Sequence, residues 1–181
     1  MVSSSRTANT VLHQGRFLRL IQKGSWEYVE RENCRGIVII LAVTSLGKIL
    51  FVEQFRPPVN RKVIELPAGL VNDHEYHRNE SVSKAAQREL LEETGYRAKK
   101  IVKLMSGPVS GGLTSDMVTL VRAFDLTKVG PGGGDGTEGI TVHEVSPSKV
   151  KGWLQKMSRQ GCLIEPKIYS ALYFLNRFIK K

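Results

Sequence analysis

Ser81-Val82-Ser83-Lys84-Ala85-Ala86-Gln87-Arg88-Glu89-Leu90-Leu91-Glu92-Glu93-Thr94-Gly95 is the stretch on which the reading of this chain turns. Val82, Ala85, Ala86 and Leu90 recur at helical spacing, and Gly95 supplies a stop, so a helix is predicted from Ser81. Glu89, Glu92 and Glu93 then stand at i, i+3 and i+4. These carboxylates fall within one sector of the helix, where side chains at such separations meet. As neighbours on a solvated face they repel by roughly a few tenths of a kcal/mol per pair. A hard cation with oxygen ligands would reverse that sign, Mg²⁺ first and Mn²⁺ second. By itself a Glu-x-x-Glu-Glu cluster also describes an ordinary acidic surface helix.

The wider pattern is more specific. Gly69, Glu80, Arg88, Glu89, Leu90, Glu92, Glu93 and Gly95 resemble the signature of the Nudix hydrolases: Gly, five residues, Glu, seven residues, then Arg-Glu-aliphatic-x-Glu-Glu-x-Gly-aliphatic. The resemblance implies a loop-helix-loop that binds divalent metal ions and cleaves a pyrophosphate within a nucleoside diphosphate joined to another group. Two positions depart from it. Ten residues rather than five separate Gly69 from Glu80. Glu75 would satisfy that first spacing but leaves twelve residues before Arg88, so Glu80 is taken as the signature residue. A loop tolerates the insertion at modest entropic cost. Its Asp73, Glu75, His74 and His77 read as an exposed polar loop rather than a second metal site. Tyr96 stands where an aliphatic residue is usual, and it can pack as an amphipathic side chain.

Outside the signature, Glu53-Gln54-Phe55-Arg56-Pro57-Pro58 and Glu65-Leu66-Pro67-Ala68-Gly69 are similar to the segments that precede it in ADP-ribose and nucleoside-diphosphate-sugar pyrophosphatases. The resemblance implies that Arg56 contacts phosphate, a task suited to a planar guanidinium. It also implies that the Ala68 carbonyl joins Glu89, Glu92 and Glu93 in holding two or more metal ions. Ser110-Gly111-Gly112-Leu113-Thr114-Ser115-Asp116 looks like a later substrate-binding stretch of these enzymes, with Gly112, Leu113 and Ser115 as contacts. Gly111 stands where many of them have proline. ADP-ribose is therefore one candidate substrate, and GDP-mannose another.

The same resemblance assigns roles elsewhere. Glu138 occupies the place of a catalytic glutamate before a strand, where it would act on the attacking water with Glu92 and Glu93 nearby. Asp135, His143 and Glu144 are competing bases, and His143, inside an alternating strand, reads as structural. Gly69, Glu80, Arg88 and Gly95 brace the loop and helix. Trp26 is by default a packing residue of a strand, yet it resembles a tryptophan that stacks on the nucleobase in related dimers. A homodimer with shared active sites is thus implied by the resemblance, with residues 1–35 as its N-terminal arm and antiparallel strands and 36–181 as the Nudix domain.

Composition agrees with one intracellular enzyme domain of 181 residues. The longest apolar run, Ile37 to Val43, is too short to span a bilayer and reads as a buried strand, so no membrane association and a cytoplasmic setting are expected. Cys34 and Cys162 have neither metal-ligand spacing nor the pattern of a disulfide framework. The net charge of +10 suits anionic substrates. No aromatic-rich basic motif accompanies the cations, so a nucleic-acid partner is not expected, and RNA 5′ ends, dinucleoside polyphosphates or a silent nucleotide sensor stand as alternatives to nucleotide-sugar hydrolysis.

Strands are predicted near residues 16–22, 25–31, 36–43, 48–55, 100–105, 117–124 and 140–145, and helices over 147–159 and 166–180. Residues 1–10 read as a loose arm. Gly130 to Gly136 lacks the Gly-Lys-Ser/Thr of a phosphate cradle and reads as a mobile loop. The order of elements suits an α/β/α sandwich with a mixed sheet, the fold that the resemblance implies.

Overall fold

Successive side chains of β4 (Gly36–Ala42) enter two different cores. In the computed structural model, which describes residues 8–72, 79–134, 136 and 139–179, Ile39 and Leu41 belong to one apolar cluster and Val38, Ile40 and Ala42 to the other. That is why this strand reads as an unbroken apolar run: a strand buried on both faces has no polar side to alternate with.

The mixed sheet around it has the order β7-β4-β9-β8. β7 (Ala68–Val71) pairs antiparallel with β4, β9 (Met117–Lys128) runs parallel to β4, and β8 (Tyr96–Pro108) returns antiparallel to β9. A second sheet joins β10 (Thr141–Val145), β5 (Ile49–Arg56), β6 (Arg61–Glu65) and β11 (Leu163–Ile164) in that order. The helix α1 (Val82–Thr94) packs Ala85, Ala86 and Leu90 into the cluster on one side of β4. From the other side α2 (Val150–Arg159) and α3 (Lys167–Ile179) contribute Leu154, Met157, Ile168, Ala171 and Leu175. The layering is the expected α/β/α sandwich. Each large apolar side chain buried this way is worth about 1.5–3 kcal/mol as an upper bound.

A separate antiparallel sheet precedes the sandwich: β1 (Thr10–Gln14), β2 (Leu18–Lys23) and β3 (Trp26–Arg31). It is tied to the loop after β8 by the Val29–Leu113 and Ser115–Val29 backbone hydrogen bonds and by the Arg31–Asp116 ion pair at 3.1 Å. β1 begins within the segment read as a loose arm. Every one of its side chains is exposed, so it has no hydrophobic alternation by which to announce itself. β6, β7 and β11 were also missed: they are short, and Pro67 and Gly69 interrupt the apolar pattern around the first two. The β8–β9 hairpin is longer than predicted: pairing runs from Tyr96–Lys128, where Tyr96, Ala98 and Leu126 are buried, to Pro108–Met117, where the side chains are largely exposed.

The α2 helix starts later than predicted, after a 3-10 turn at Pro147–Lys149. His143 is structural, as read from its strand. Its Nε2 lies 2.9 Å from Glu53 Oε2, and its ring stands 5.2 Å from that of Trp153. Both cysteines are free. No described helix is long and apolar enough to cross a membrane.

Candidate active site

Ser81 accepts a hydrogen bond from Lys84 N at the start of α1, and Gly95 closes the helix at φ 71° with its N–H on Leu91 O. These are the expected boundaries, and each has its physical cause: a hydroxyl N-cap, and a left-handed C-cap that glycine adopts without a Cβ penalty. Part of the glycine-rich segment packs against the end of α1. Gly133 N and Gly134 N donate to the carbonyls of Glu93 and Glu92, and Lys128 Nζ to that of Thr94. The end of a helix leaves carbonyls without partners, and this segment satisfies them. Tyr96 follows, buried, with its hydroxyl donating to Glu144 Oε1 at 2.6 Å. Burial and that carboxylate push the phenol up to about 12.

At the other end of the motif, Arg88 gathers the loop and the helix. Its Nε and Nη2 donate to the two Glu80 oxygens at 3.2 and 3.1 Å, and Nη2 also reaches Leu70 O at 3.0 Å. Nη1 donates to Glu89 Oε1 at 2.7 Å and to Glu92 Oε2 at 3.3 Å. Burial works against the charge, but the hydrogen bonds and charges of Glu80 and Glu89 outweigh it and raise the guanidinium pKa. The Glu80 pairing explains why register to Arg88 outranks the loop spacing. Gly69 completes the brace: a Cβ built there would fall inside the Glu89 carboxylate, so only glycine lets this strand pass the helix so closely.

Gly69, Leu70 and Arg88 line a cleft of about 580 Å³. Glu89, Glu92 and Glu93 of α1 and Ala68 and Gly69 of β7 form the acidic side. Glu93 is buried, and its Oε2 accepts from Ala68 N at 3.1 Å. Arg56, Lys167 and Arg31 line the same cleft. Arg56 Nε donates to Glu65 Oε2 at 2.7 Å, and Lys167 pairs with Glu165. Ile37, Ile39 and Val118 supply apolar surface.

The expected convergence of carboxylates holds as a shared wall, not as a finished coordination shell. Among the described residues no group of three or more His, Cys, Asp or Glu side chains stands in metal-binding geometry. Arg88 draws Glu89 and Glu92 toward itself, while Glu93 turns to the Ala68 amide. The donor chemistry nevertheless fits a hard divalent cation: carboxylates and backbone carbonyls within one cleft. Gln54 adds an acceptor to the same cleft. Its Oε1 is buried and has no hydrogen-bond partner among the described residues.

Gln54, Glu65, Glu165 and Lys167 were given no role in the sequence reading. The first two lie inside the quoted motif segments, where they could have been found. Lys167 is more than a hundred residues away in the chain from both, and only the packing of α3 brings it to the cleft. Trp26, Gly112, Leu113 and Ser115 do not line this cleft. Trp26 is 61% exposed at the edge of β3, beside Gly112, so the default packing role is wrong. Glu144, a competing base, is held by Tyr96 away from the cleft. Glu138, Asp135, and the insertion residues Asp73, His74, Glu75 and His77 lie outside the described residues.

The protein comparisons agree with this architecture. A crystal structure described as an ADP compounds hydrolase matches with a TM-score of 0.68 over 98% of this chain and 97% of that one, at 19% identity, which is a likeness of fold. The ADP-ribose pyrophosphatase of Bacillus subtilis (strain 168) is 41% identical over 92 residues, covering 51% of this chain and 47% of that protein. A nudix hydrolase of Caenorhabditis elegans is 33% identical over 161 residues, covering 80% of this chain and 69% of its own. The chain thus spans about half the length of the first of these curated relatives. The NUDIX domain profile matches residues 33–158. With the Gly69–Glu89 contact, the Glu80–Arg88 brace and the three helix carboxylates all inside that match, the chain belongs to the Nudix family.

Proposed function

We propose that this protein hydrolyses the pyrophosphate of nucleoside diphosphates joined to a sugar, such as ADP-ribose and GDP-mannose, giving a nucleoside monophosphate and a sugar phosphate. One observation carries the reading: a single cleft is lined both by Glu89, Glu92 and Glu93 and by Arg56 and Lys167. A diphosphate bridged to carboxylates by cations and to guanidinium directly suits both groups at once. The relatives named as ADP-ribose pyrophosphatases support the substrate class.

Nudix hydrolases generally need divalent metal ions. Here the finer reading is Mg²⁺, with Mn²⁺ as a substitute, in two or more positions held by Glu89, Glu92, Glu93 and the Ala68 carbonyl. When bound, such ions lower the pKa of water and neutralise charge on the leaving phosphate oxygen. The protein's own part is positional. Arg56, held by Glu65, presents its remaining guanidinium N–H groups to a phosphate. Arg88 and Glu80 keep α1 at a fixed distance from β7, and Glu138 would accept the proton of the attacking water.

Incubating the protein with Mg²⁺ and a panel of ADP-ribose, GDP-mannose, other nucleotide sugars, dinucleoside polyphosphates, NADH and capped RNA, followed by product analysis, tests the proposal. Nucleoside monophosphate and sugar phosphate are the expected products. Preference for capped RNA or dinucleoside polyphosphates would replace the substrate class, and tight nucleotide binding without turnover would make the protein a sensor.

Two variants probe the roles separately. Glu138→Gln is expected to lower kcat by about 10²- to 10⁴-fold with substrate affinity near wild type, because general-base catalysis acts in the transition state. A loss under about fivefold would reject this residue as the base. Gly69→Ala must push Glu89 aside, and a misplacement of about 1 Å at a catalytic group can cost on the order of 10²-fold. Wild-type kcat in a folded Gly69→Ala protein would show that the close approach at Glu89 does not matter.

A further inference from the structure

The last turn of α1 carries Glu92 and Glu93 at the end of a helix where the macrodipole is negative, and no basic residue stands in that turn. Glu89 adds like charge three and four residues back. The sequence of α1 therefore favours fraying just where the cation ligands are proposed.

The turn is held from outside. Gly134 N and Gly133 N donate to the carbonyls of Glu92 and Glu93, Lys128 Nζ to that of Thr94, and Val129 N and Gly130 N to that of Gly95. One short stretch, 128–134, thus satisfies four successive carbonyls, and its Lys128 supplies the cation that the turn lacks. A Cβ at Gly132 would lie 2.4 Å from Thr94 C and 2.7 Å from Glu93 O, so the stretch lies hard against the helix end.

Tyr96 closes the other side of this clasp. It opens β8, in the sheet with β4, while Glu144 lies on β10, at the edge of the second sheet. The phenol donates to Glu144 Oε1 at 2.6 Å, the length of a bond to an ionised carboxylate, and Glu144 Oε2 stands 3.7 Å from Lys48 Nζ. Lys128 Nζ sits 4.6 Å from the centroid of the Tyr96 ring. Ile140 N, just before β10, donates to Gly133 O at 3.4 Å. The end of α1 is therefore joined to β10 by two routes, one through Gly133 and one through Tyr96. An aliphatic residue at position 96 could pack there but could not make the second.

We propose that Tyr96 and Glu144 are positioning residues for the carboxylates of α1: their hydrogen bond holds the last turn in place against its own charge, and so sets where Glu92 and Glu93 meet a divalent cation. Neither residue lines the cleft, so the effect passes through the helix. This role rests on the reading of Glu89, Glu92 and Glu93 as cation ligands and deepens it.

Mn²⁺ titration followed by electron paramagnetic resonance, on the full chain without substrate, measures the cation's affinity directly. Removing a group that orients a metal ligand lowers affinity by about 10- to 100-fold, and the low end, about tenfold, is expected for Tyr96→Phe and for Glu144→Ala. The double variant should lose no more than either single one, since both remove the same bond. Glu144→Gln, whose carbonyl oxygen still accepts from the phenol, should keep most of the affinity that Glu144→Ala loses. With ADP-ribose as substrate, the turnover deficit of Tyr96→Phe should shrink as Mg²⁺ is raised, because excess cation fills a weaker site. Mn²⁺ affinity within about twofold of wild type in both single variants, even with lowered stability to urea, would make the bond purely structural and overturn the proposal. Additive losses in the double variant would overturn it too. A wild-type chain that binds no Mn²⁺ would remove the ligand assignment and the clasp's role together. A chain that binds Mn²⁺ in the expected order of variants yet hydrolyses no nucleotide sugar would sink the hydrolase reading and leave the clasp standing.

Discussion

Glu93→Gln is expected to remove nearly all turnover while leaving the fold intact. Glu93 is 5% exposed, and its Oε2 accepts a hydrogen bond from Ala68 N. The glutamine carbonyl oxygen can accept the same bond in the same shape, so the tie between α1 and β7 survives. What is lost is a negative charge on the wall proposed to hold cations. Removing a partner that only orients a metal ligand costs about 10- to 100-fold, and removing the charge of a ligand itself should exceed that. Steady-state kinetics with ADP-ribose across a Mg²⁺ titration measures the effect. Turnover within tenfold of wild type at saturating metal, in a variant with unchanged circular dichroism, would exclude Glu93 as a ligand.

Arg88→Met should act on stability as much as on chemistry. The arginine side chain is 16% exposed and the Glu80 side chain 9%, so this is a largely buried pair and not a surface one. Methionine fills similar volume but supplies none of the hydrogen bonds to Glu80, Leu70 O, Glu89 and Glu92. Glu80 would be left buried without a counter-charge, a change that typically costs about 3–5 kcal/mol. Urea unfolding followed by tryptophan fluorescence would register it. Arg88→Lys should recover part of the loss, since an ammonium keeps the charge but cannot span both Glu80 oxygens and Glu89 as the planar fork does. A shift below about 1 kcal/mol for Arg88→Met would mean that the pair contributes little, as exposed pairs do.

The helix that carries the site was legible residue by residue. Ser81, the apolar spacing of Ala85, Ala86 and Leu90, and Gly95 are local signals, and the structure uses each of them as read. Glu80 was recoverable for the same reason, since its distance from Arg88 is set by a helical register that a loop insertion cannot change. The buried β4 strand announced itself through composition alone. By contrast, β1 and the Ser106–Pro108 end of β8 are held by cross-strand backbone hydrogen bonds, which leave no mark in side-chain pattern when the residues are largely exposed.

Sequence by itself therefore determined the family, the sandwich and the acidic helix, because those depend on residues close together in the chain. Only the tertiary structure decided which distant residues share the cleft with that helix. Lys167 and Glu165 reach the cleft because α3 packs Ile168, Ala171 and Leu175 into the core behind it. Trp26 is left outside because β3 belongs to a different sheet. Arg88 rather than a ready-made cation site occupies the centre of the carboxylate group, because a guanidinium with five donors can satisfy several buried acceptors at once. Such long-range neighbours are fixed by how whole elements stack, and no window of sequence contains both partners.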